Sequence, residues 1–357
     1  MNILYFSPIP YTALKQRPQY IAQGLSKIHN VVYVEPTTSI MKYILRGGEK
    51  PNGKNYKLTP SLQVLRLNGW VTAHRSFESI SHLLCLSEQL QVNRLLKWAD
   101  LVWIGYSPWF NMVRKFKGPI VYDKMDDNQG ITQNALLKKV IEKTETQIIA
   151  RADRVFVTAQ LFYDEISPLN NHTFVINNAV DSAQIFPHST TPIIRSTQNK
   201  QVFGYIGMID HWFDIDAIKV ILDSDNRNTV VLVGPNNIPE YEHPRLHYVG
   251  TVAKESVSTW IDSFDICLYP FRQTGFLNTI DPVKLYEYLA QNKPVLAADS
   301  TEIRRFNSIV YTYSTLDELQ HVLKNPFSPP FTSNAQVDEF ISQNNWDKRV
   351  ADILSLL

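Results

Sequence analysis

Short apolar runs alternate with longer amphipathic segments along the first half of the chain. The apolar runs predict buried strands, and the amphipathic segments predict helices. We predict strands at 2–6, 31–34, 101–105, 120–122, 154–158 and 173–176, and helices at 17–27 and 136–151. Because strands that alternate with helices form parallel sheets with covered faces, this half indicates an α/β domain.

A second alternating series begins after residue 200. Its predicted strands are 202–206, 229–233, 246–249, 265–269, 294–298 and 309–312, and its predicted helices are 214–222, 254–263 and 316–323. Residues 186–200 are rich in Pro, Ser, Thr and Asn, which is typical of a linker. We therefore predict an N-terminal domain at 1–185, a linker at 186–200, a second domain at 201–335 and C-terminal helices at 336–357.

Residues 264–300 combine a strand, a polar loop, a helix and a second strand. Asp281 is a suitable N-cap, and Pro282 suits the first helical position. Such a loop lies at the carboxyl end of its strand, where open parallel sheets bind ligands, and the free amides at the helix start attract phosphate. Lys284 and Glu287, three residues apart, share a face of this helix. The pair suits a nucleotide diphosphate and its ribose, although an ordinary solvated Lys–Glu pair has the same spacing.

The composition is that of a folded protein with two domains. The chain has 357 residues, of which 44% are hydrophobic and 19% are charged, so it can bury a sizeable core. Cys85 and Cys267 lie in apolar surroundings, which argues against a disulfide or a zinc site and fits a reducing, cytoplasmic compartment. We expect no signal peptide, no membrane span of about 20 apolar residues and no tightly held metal.

Charge is distributed unevenly along the chain. Residues 1–120 carry fifteen Lys and Arg against five Asp and Glu, whereas the remainder carries twenty against twenty-nine. The basic N-terminal part indicates an anionic partner, such as the inner membrane surface or a phosphate-bearing acceptor. Residues 40–57 mix basic and apolar side chains, as segments at lipid headgroups do. Lysines that merely solubilise the domain, and an ordinary surface loop, explain the same patterns. We expect no nucleic-acid partner.

Several short motifs, in their order and spacing, resemble the GT-B glycosyltransferases. The detailed similarity is to the retaining family 4 group, especially bacterial members that build capsule, teichuronic-type or other surface polysaccharides. The motifs are Gln16-Arg17-Pro18-Gln19, Val121-Tyr122-Asp123, Asn178-Ala179-Val180-Asp181, Gly204-Tyr205-Ile206-Gly207, Val233-Gly234-Pro235 and residues 281–290. The resemblance covers nearly the whole chain. It implies two Rossmann-like, doubly wound parallel-sheet domains that face a cleft, with the C-terminal helix returning toward the N-terminal domain.

The resemblance also implies which residues hold the donor, a nucleotide-diphosphate sugar that is a substrate, with no cofactor. Glu287 matches the carboxylate that binds the two ribose hydroxyls, a role that suits a group able to accept two hydrogen bonds. Backbone around Val249 and Gly250 matches the base site, and Pro235 matches its wall. The other implied donor-binding residues are Gly207, Arg272, Asn278, Thr279, Ile280 and Lys284.

Three positions depart from the pattern of the family. Thr279 stands where a second glutamate is usual, Met208 where an arginine is usual, and Phe213 where a lysine is usual. Because fixed cations normally stabilise a diphosphate leaving group, replacements are needed. We expect the replacements among Arg272, Lys284, His211 and Arg17. The candidate catalytic residues on this side are His211, Arg17 and Thr279.

The N-terminal half is expected to bind the acceptor. Asp123, Asp126 and Asp127 follow a predicted strand, so they lie at the sheet edge where ligands bind. A carboxylate there can orient an acceptor hydroxyl or accept its proton, which makes Asp126 and Asp127 candidate catalytic residues. Loop carboxylates also commonly act as caps. Trp109 and Trp212 have the character of core or cleft aromatics, and because they follow strand ends they are also candidates for stacking on a sugar.

The sequence therefore predicts a retaining, metal-independent glycosyltransferase of the hexosyltransferase type. We predict a UDP-linked donor and a saccharide or lipid-linked acceptor in surface polysaccharide biosynthesis. Two alternatives stay open. One is a UDP-sugar epimerase on the same fold, and the other is a catalytically silent subunit that binds nucleotide sugars.

Overall fold

The computed structural model describes residues 1–46, 55–69, 85–181, 201–306, 309–324 and 334–357. These residues divide into two units. Unit 1 comprises Met1–Asn177 together with Val350–Leu357, and unit 2 comprises Asn178–Arg349. The predicted linker at 186–200 lies outside the described residues.

Unit 1 is built around a sheet of eight strands. They are β1 (Asn2–Phe6), β2 (Asn30–Ser39), β3 (Asn55–Thr59), β4 (Leu62–Gly69), β5 (Leu101–Ile104), β6 (Ile120–Lys124), β7 (Arg154–Val157) and β8 (Thr173–Val175). Their order across the sheet is β3-β4-β2-β1-β5-β6-β7-β8. Neighbouring strands are parallel except β3 and β4, which pair antiparallel at one edge.

The helices of unit 1 connect these strands. Within the described ranges they are α1 (Arg17–Leu25), α2 (Ile40–Arg46), α3 (Leu86–Leu96), α4 (Phe110–Val113), α5 (Asn128–Ile131), α6 (Ala135–Arg151) and α7 (Gln160–Ile166). In the Gln16–Gln19 motif, Gln16 N donates to Gln19 Oε1 at 3.1 Å. This bond closes the first turn of α1, because it gives the backbone just before the helix a partner.

An aromatic row crosses one face of the unit 1 sheet. Tyr5 stacks on Tyr33 and on Trp103, with ring centroids 5.6 and 5.5 Å apart. The strand register sets these three residues side by side on β2, β1 and β5, and all three are fully buried. Because aromatic rings bury a large apolar area each, this row contributes strongly to the core of unit 1.

Unit 2 is built around a six-stranded, fully parallel sheet. Its strands are β9 (Gln201–Ile206), β10 (Asn228–Val233), β11 (Leu246–Gly250), β12 (Ile266–Tyr269), β13 (Val295–Ala298) and β14 (Tyr311–Tyr313), and its helices in the described ranges are α8 (Ile215–Ser224), α9 (Val257–Asp262), α10 (Val283–Ala290), α11 (Leu316–Lys324) and α12 (Asn334–Gln343). The strand order is β11-β10-β9-β12-β13-β14. The chain therefore winds outward in one direction from β9 and in the other from β12, which makes the β9/β12 boundary a topological switch point.

The last helix, α13 (Trp346–Leu356), joins unit 1 from Val350 onward. Val350 packs so closely on Gly24 of α1 that a Cβ on the glycine would lie 2.4 Å from Val350 Cγ2. Arg154 Nε donates to Leu356 O at 2.9 Å. In every described part of the chain, the helices are too short or too polar to cross a bilayer.

The predicted fold class, α/β with two parallel-sheet domains, is confirmed. Predicted strands 2–6, 202–206 and 294–298 agree with β1, β9 and β13 to within one residue at each end. The strand predicted at 31–34 is too short, because β2 extends to Ser39. The sequence pattern does not predict β3, β4 or α3. The basic segment predicted at 40–57 contains α2 and the start of β3, and its residues 47–54 lie outside the described residues.

Candidate functional site

Two loops meet at the switch point of unit 2. The β9 loop (207–214) follows β9, and the β12 loop (270–282) follows β12. Asp214 N donates to Pro270 O at 2.8 Å, and Arg272 N donates to Trp212 O at 2.8 Å. An antiparallel bridge also joins Phe213 to Phe271. The two loops therefore form one continuous surface at the carboxyl edge of the sheet, which is where ligands bind in such folds.

Helix α10 presents a polar face at this edge. Its opposite face is buried through Leu285, Tyr286 and Tyr288, and Tyr288 Oη accepts a hydrogen bond from Ile206 N at 3.1 Å. That bond fastens the helix to the end of β9. The buried face fixes the rotation of the helix, so Lys284 and Glu287 share the outer face as predicted.

Lys284 and Glu287 form an ion pair on this outer face. Lys284 Nζ lies 2.7 Å from Glu287 Oε2, and the two side chains keep 27% and 20% of their surface exposed. An ion pair between partly exposed side chains adds little net stability, so either side chain can give up this contact to bind a ligand. The pair offers a cation and a carboxylate to a polar ligand at the start of α10.

The predicted N-cap role of Asp281 is wrong. Helix α10 begins at Val283, and Pro282 occupies the N-cap position. The Asp281 carboxylate is buried, lies 2.5 Å from an Arg305 guanidinium nitrogen and accepts from the backbone of Asn178. A buried carboxylate needs a countercharge, and Arg305 supplies one that the helix amides cannot. Asp281 thus anchors the β12 loop from inside.

The ends of β9, β10 and β11 converge on the other side of the switch point. Gly234 N donates to Gly250 O at 2.8 Å, and Ile209 N donates to Pro235 O at 2.9 Å. Gly234 has φ +137°, and a Cβ there would lie 1.9 Å from Gly207 O, so only glycine fits. Of the predicted base-site residues, Pro235 and Val249 are exposed. The structure therefore brings Gly207, Pro235, Val249 and Gly250 to one place on the sheet edge.

The remaining predicted donor residues lie in the β12 loop. Arg272 is exposed, and its Nε donates to Phe213 O at 3.2 Å. Asn278 Oδ1 accepts from Thr301 N at 3.2 Å. Thr279 is 8% exposed, and its hydroxyl donates to Phe276 O at 2.7 Å within a 3-10 turn. Ile280 packs against the hydrophobic core. The Thr279 hydroxyl is therefore used within the turn.

Met208 and Phe213, which stand where the family that the chain resembles has cations, have different surroundings. Phe213 is fully buried, with its ring centroid 5.1 Å from that of Tyr205. A lysine there would place a charge in the core, at a high desolvation cost. Met208 is 47% exposed. The β9 loop is thus built around Phe213, while position 208 stays open to solvent.

Arg17 is part of a buried ion pair in unit 1. Its Nε lies 3.0 and 3.1 Å from the two Asp123 oxygens, its Nη2 lies 2.8 Å from Oδ1, and its Nη1 donates to Ile176 O at 2.7 Å. Arg17 is 4% exposed and Asp123 is fully buried. The guanidinium is therefore neutralised within unit 1. The predicted role of Arg17 toward phosphate stays a prediction.

The two acidic residues that follow β6 have different surroundings. Asp127 caps α5, because its Oδ1 accepts from Gly130 N at 2.9 Å. Asp126 is exposed to solvent. Of the two, Asp126 is the more available to a ligand.

The two tryptophans that are candidates for sugar stacking differ in burial. Trp109 is fully buried, and its Nε1 donates to Ser7 O at 3.0 Å, so it is a core residue and the prediction of sugar stacking is wrong for it. Trp212 is partly buried, and its ring centroid lies 5.8 Å from that of Phe276. His211 is exposed beside both of these rings. Trp212 thus remains at the edge where the β9 and β12 loops meet.

Sequence reasoning misses Asp210, Asn237 and Arg305. Asn237 Nδ2 donates to Asp210 Oδ2 at 2.7 Å. The two residues are 27 positions apart in the sequence, so no local sequence pattern predicts this contact. The signal in the sequence that could have identified Asp210 is its position directly before His211.

Over the residues that the structure describes, no group of three or more His, Cys, Asp and Glu is placed to hold a metal ion.

Comparison with solved structures shows the fold. The crystal structure of Anabaena Alr3699/HepE in complex with UDP-glucose has a TM-score of 0.66 at 14% identity, and the match covers 100% of both chains. The structure described as "Trehalose-6-phosphate from E. coli bound with UDP-2-fluoro glucose" has a TM-score of 0.67 at 10% identity and covers 99% of this chain and 98% of that one. The chain has the GT-B fold.

Sequence comparison matches part of the chain to known glycosyltransferases. Residues 200–311, from β9 to the start of β14, match the family described as Glycosyl transferases group 1. The protein named "Putative teichuronic acid biosynthesis glycosyltransferase TuaH" from Bacillus subtilis (strain 168) is 24% identical over 190 residues, which make up 49% of this chain and 48% of that protein. The matched chain thus spans about half the length of this curated relative. Family 4 and the capsule subgroup stay predictions.

Proposed function

We propose that this protein is a glycosyltransferase that uses a nucleotide-diphosphate sugar, with UDP as the nucleotide, as its donor. The acceptor is a saccharide or a lipid-linked molecule of surface polysaccharide biosynthesis, and the sugar is transferred with retention. Retention and the hexosyltransferase type are taken from the resemblance to family 4. The donor site lies in unit 2, at the carboxyl edge of its sheet.

The observation that carries this proposal is the polar face of α10 at the β9/β12 switch point. Glu287 lies one turn into the helix, with a carboxylate suited to two ribose hydroxyls. The first amides of α10 and of the turn Gly275–Thr279 precede it and suit a diphosphate. The two solved structures compared above contain UDP-glucose and UDP-2-fluoro glucose, and the TuaH relative is named for teichuronic acid biosynthesis. These findings support a UDP-sugar at this edge.

Stabilising the leaving diphosphate is the main task of the site. In the retaining enzymes that the chain resembles, the leaving phosphate takes the acceptor proton on the same face, so little is asked of a protein base. Exposed Arg272 and the partly exposed Lys284 supply positive charge near the β12 loop. Lys284 lies at the start of α10 beside Glu287, where its charge can attract phosphate.

The acceptor is proposed to bind unit 1. Asp126, an exposed carboxylate at the carboxyl edge of the sheet, is suited to orient an acceptor hydroxyl. On α2, Tyr43, Ile44 and Leu45 are 38%, 67% and 73% exposed. Together with the positive charge of residues 1–120, these apolar side chains support contact with an anionic membrane face that carries a lipid-linked acceptor.

A catalytically silent nucleotide-sugar-binding subunit is the second candidate. It is favoured by position 279, where a threonine replaces the second glutamate usual in the family that the chain resembles and its hydroxyl is used within its own turn. One assay distinguishes the two candidate functions. Slow hydrolysis of UDP-sugars, or transfer to any saccharide acceptor, establishes the transferase, whereas UDP binding without either reaction establishes the silent subunit.

A binding experiment with Glu287→Ala tests the donor site. We expect UDP to raise the melting temperature of the wild-type protein, because it binds the folded state. The variant loses hydrogen bonds to a charged acceptor, so its affinity for UDP falls about tenfold or more. Its unliganded stability changes by less than about 1 kcal/mol, since the Lys284 pair is partly exposed.

Glu255→Ala is the matched control, because Glu255 is an exposed glutamate of unit 2 in the turn Lys254–Ser256. We expect it to bind UDP as the wild type does. Unchanged UDP affinity in Glu287→Ala would contradict the ribose assignment. No stabilisation of the wild type by UDP, GDP or ADP would contradict a nucleotide donor altogether.

A further inference from the structure

Three loops at the carboxyl edge of unit 2 are joined through Asp210 and His211. Both residues lie in the β9 loop, whose neighbours are the β12 loop and the β10 loop (234–245). Asn237 of the β10 loop donates its side-chain amide to Asp210, and the ring of Phe276 in the β12 loop lies beside His211. The pair therefore stands at the switch point, between the proposed base side and the proposed phosphate side.

Asp210 is held in one orientation by three hydrogen bonds. Its Oδ2 accepts from Asn237 Nδ2 at 2.7 Å, and its Oδ1 accepts from the backbone and the ring of His211, at 2.7 and 2.8 Å. Asn237 is itself fixed, because its backbone N donates to Ile209 O at 2.9 Å. The bond from Asn237, followed by those from His211, lowers the pKa of Asp210. Asp210 is accordingly an ionised carboxylate at neutral pH.

The bond to Asp210 determines what His211 can offer a ligand. It engages Nδ1, which leaves Nε2 on the far side of the ring, and the side chain is 63% exposed. Within the described part of the chain, Nε2 has no hydrogen-bond partner. The ring rests edge-on against Trp212, with centroids 4.7 Å apart, and lies 6.5 Å from Phe276. The imidazole is thus oriented by its neighbours and accessible to a ligand.

We propose that His211, as an imidazolium, donates a hydrogen bond from Nε2 to the diphosphate of the donor, and that Asp210 and Asn237 are the residues that position it. The proposal rests on the proposed function. Two fixed cations usual in the family that the chain resembles are absent at Met208 and Phe213, and His211 lies between these two positions in the β9 loop. Because Nδ1 donates to Asp210, donation from Nε2 as well requires a proton on both ring nitrogens. Through Asp210, Asn237 also connects the His211 ring to the loop that carries Pro235. The loop proposed to bind the base therefore also supports the orientation of His211.

The experiment compares ligands with and without the diphosphate. Affinities for UDP and for uridine are measured by calorimetry with the wild type, His211→Ala, His211→Lys, Asp210→Asn and Asn237→Ala. We expect His211→Ala to bind UDP about tenfold more weakly, the effect of one charge-assisted hydrogen bond, and to bind uridine unchanged. His211→Lys recovers part of the UDP affinity, and the two positioning variants lose less than His211→Ala.

His321→Ala is the control, because His321 is an exposed histidine of unit 2 on α11. It is expected to bind both ligands as the wild type does. A melting temperature for each unliganded variant confirms folding, and we expect no large change because His211 is exposed. Equal loss of UDP and uridine in His211→Ala would assign the ring a structural role and overturn the proposal, as would unchanged UDP affinity. A wild type that binds neither ligand would overturn the proposed function instead.

Discussion

At the residue scale, several charged side chains of unit 1 are buried as ion pairs. Arg17 pairs with Asp123, Arg66 with Glu35, and Lys124 with Glu145, with N–O distances of 2.8, 2.7 and 2.7 Å. Removing a charge from water is costly, so each of these side chains needs its partner and further hydrogen bonds to remain buried. Arg17 meets this need with Asp123 and the carbonyl of Ile176, which fixes the start of α1 against the ends of β6 and β8.

Asp123→Asn is predicted to destabilise unit 1 strongly. The substitution leaves the Arg17 guanidinium buried without its countercharge, and breaking a buried pair in this way costs about 3–5 kcal/mol. Urea unfolding at neutral pH measures the change in the free energy of unfolding. Asp216→Asn is the matched control, since the Asp216–Lys219 pair has a similar N–O distance of 2.7 Å but is 56% and 41% exposed. We expect the control to lose less than about 1 kcal/mol. Similar losses in both variants would contradict a burial effect.

At the element scale, the sequence predicts the strands of both sheets better than it predicts the edge of unit 1. Central strands such as β1 and β9 are continuous apolar runs, because both of their faces are covered. β3 exposes most of its side chains and is paired on one side only, so it has no apolar period to detect. Tertiary pairing, which the local pattern does not contain, decides that β3 and β4 form a hairpin.

The candidate site shows the same division between local and distant signals. The shared face of Lys284 and Glu287 follows from helical spacing, and the structure contains it. The role of Asp281 does not follow from local rules, because Arg305, 24 residues away, takes the carboxylate that a cap would use. The bond between Asp210 and Asn237 likewise spans two loops. Pairings between distant polar residues depend on the folded sheet, which brings their loops together.

Alanine is predicted to be tolerated far better at Gly250, the last residue of β11, than at Gly234, the first residue after β10. A Cβ on Gly234 would lie 1.9 Å from Gly207 O, a backbone atom that cannot rotate away, at φ +137°. Gly250 has φ +79° with no atom within 4 Å of the added Cβ. We expect Gly250→Ala to lose about 1–2 kcal/mol of unfolding free energy, and Gly234→Ala about 3 kcal/mol or more. Urea unfolding measures both. Equal losses would contradict the close approach of the β9 and β10 loops.

At the scale of the whole molecule, the chain is not divided between its two units at a single point. Unit 1 contains the residues up to Asn177 and also Val350–Leu357. Ile353, on α13, is fully buried, and Val350 is 7% exposed against Gly24. The final residues of the chain therefore complete the core of the unit that is proposed to bind the acceptor, while the proposed donor site belongs to the intervening segment.

Ile353→Ala is predicted to destabilise unit 1 and to leave the β9/β12 edge of unit 2 unchanged. Truncating a buried isoleucine costs about 2–5 kcal/mol through lost burial and the cavity left behind. Amide hydrogen exchange followed by mass spectrometry reports each unit separately, because local opening raises exchange only where stability is lost. We expect faster exchange in peptides from β1 and β5, and unaltered exchange in peptides from β9 and β12. The control, Ser355→Ala, changes an exposed residue of the same helix. Faster exchange in β9 and β12 as well would show that the end of the chain supports unit 2, and the assignment of Val350–Leu357 to unit 1 alone would fail.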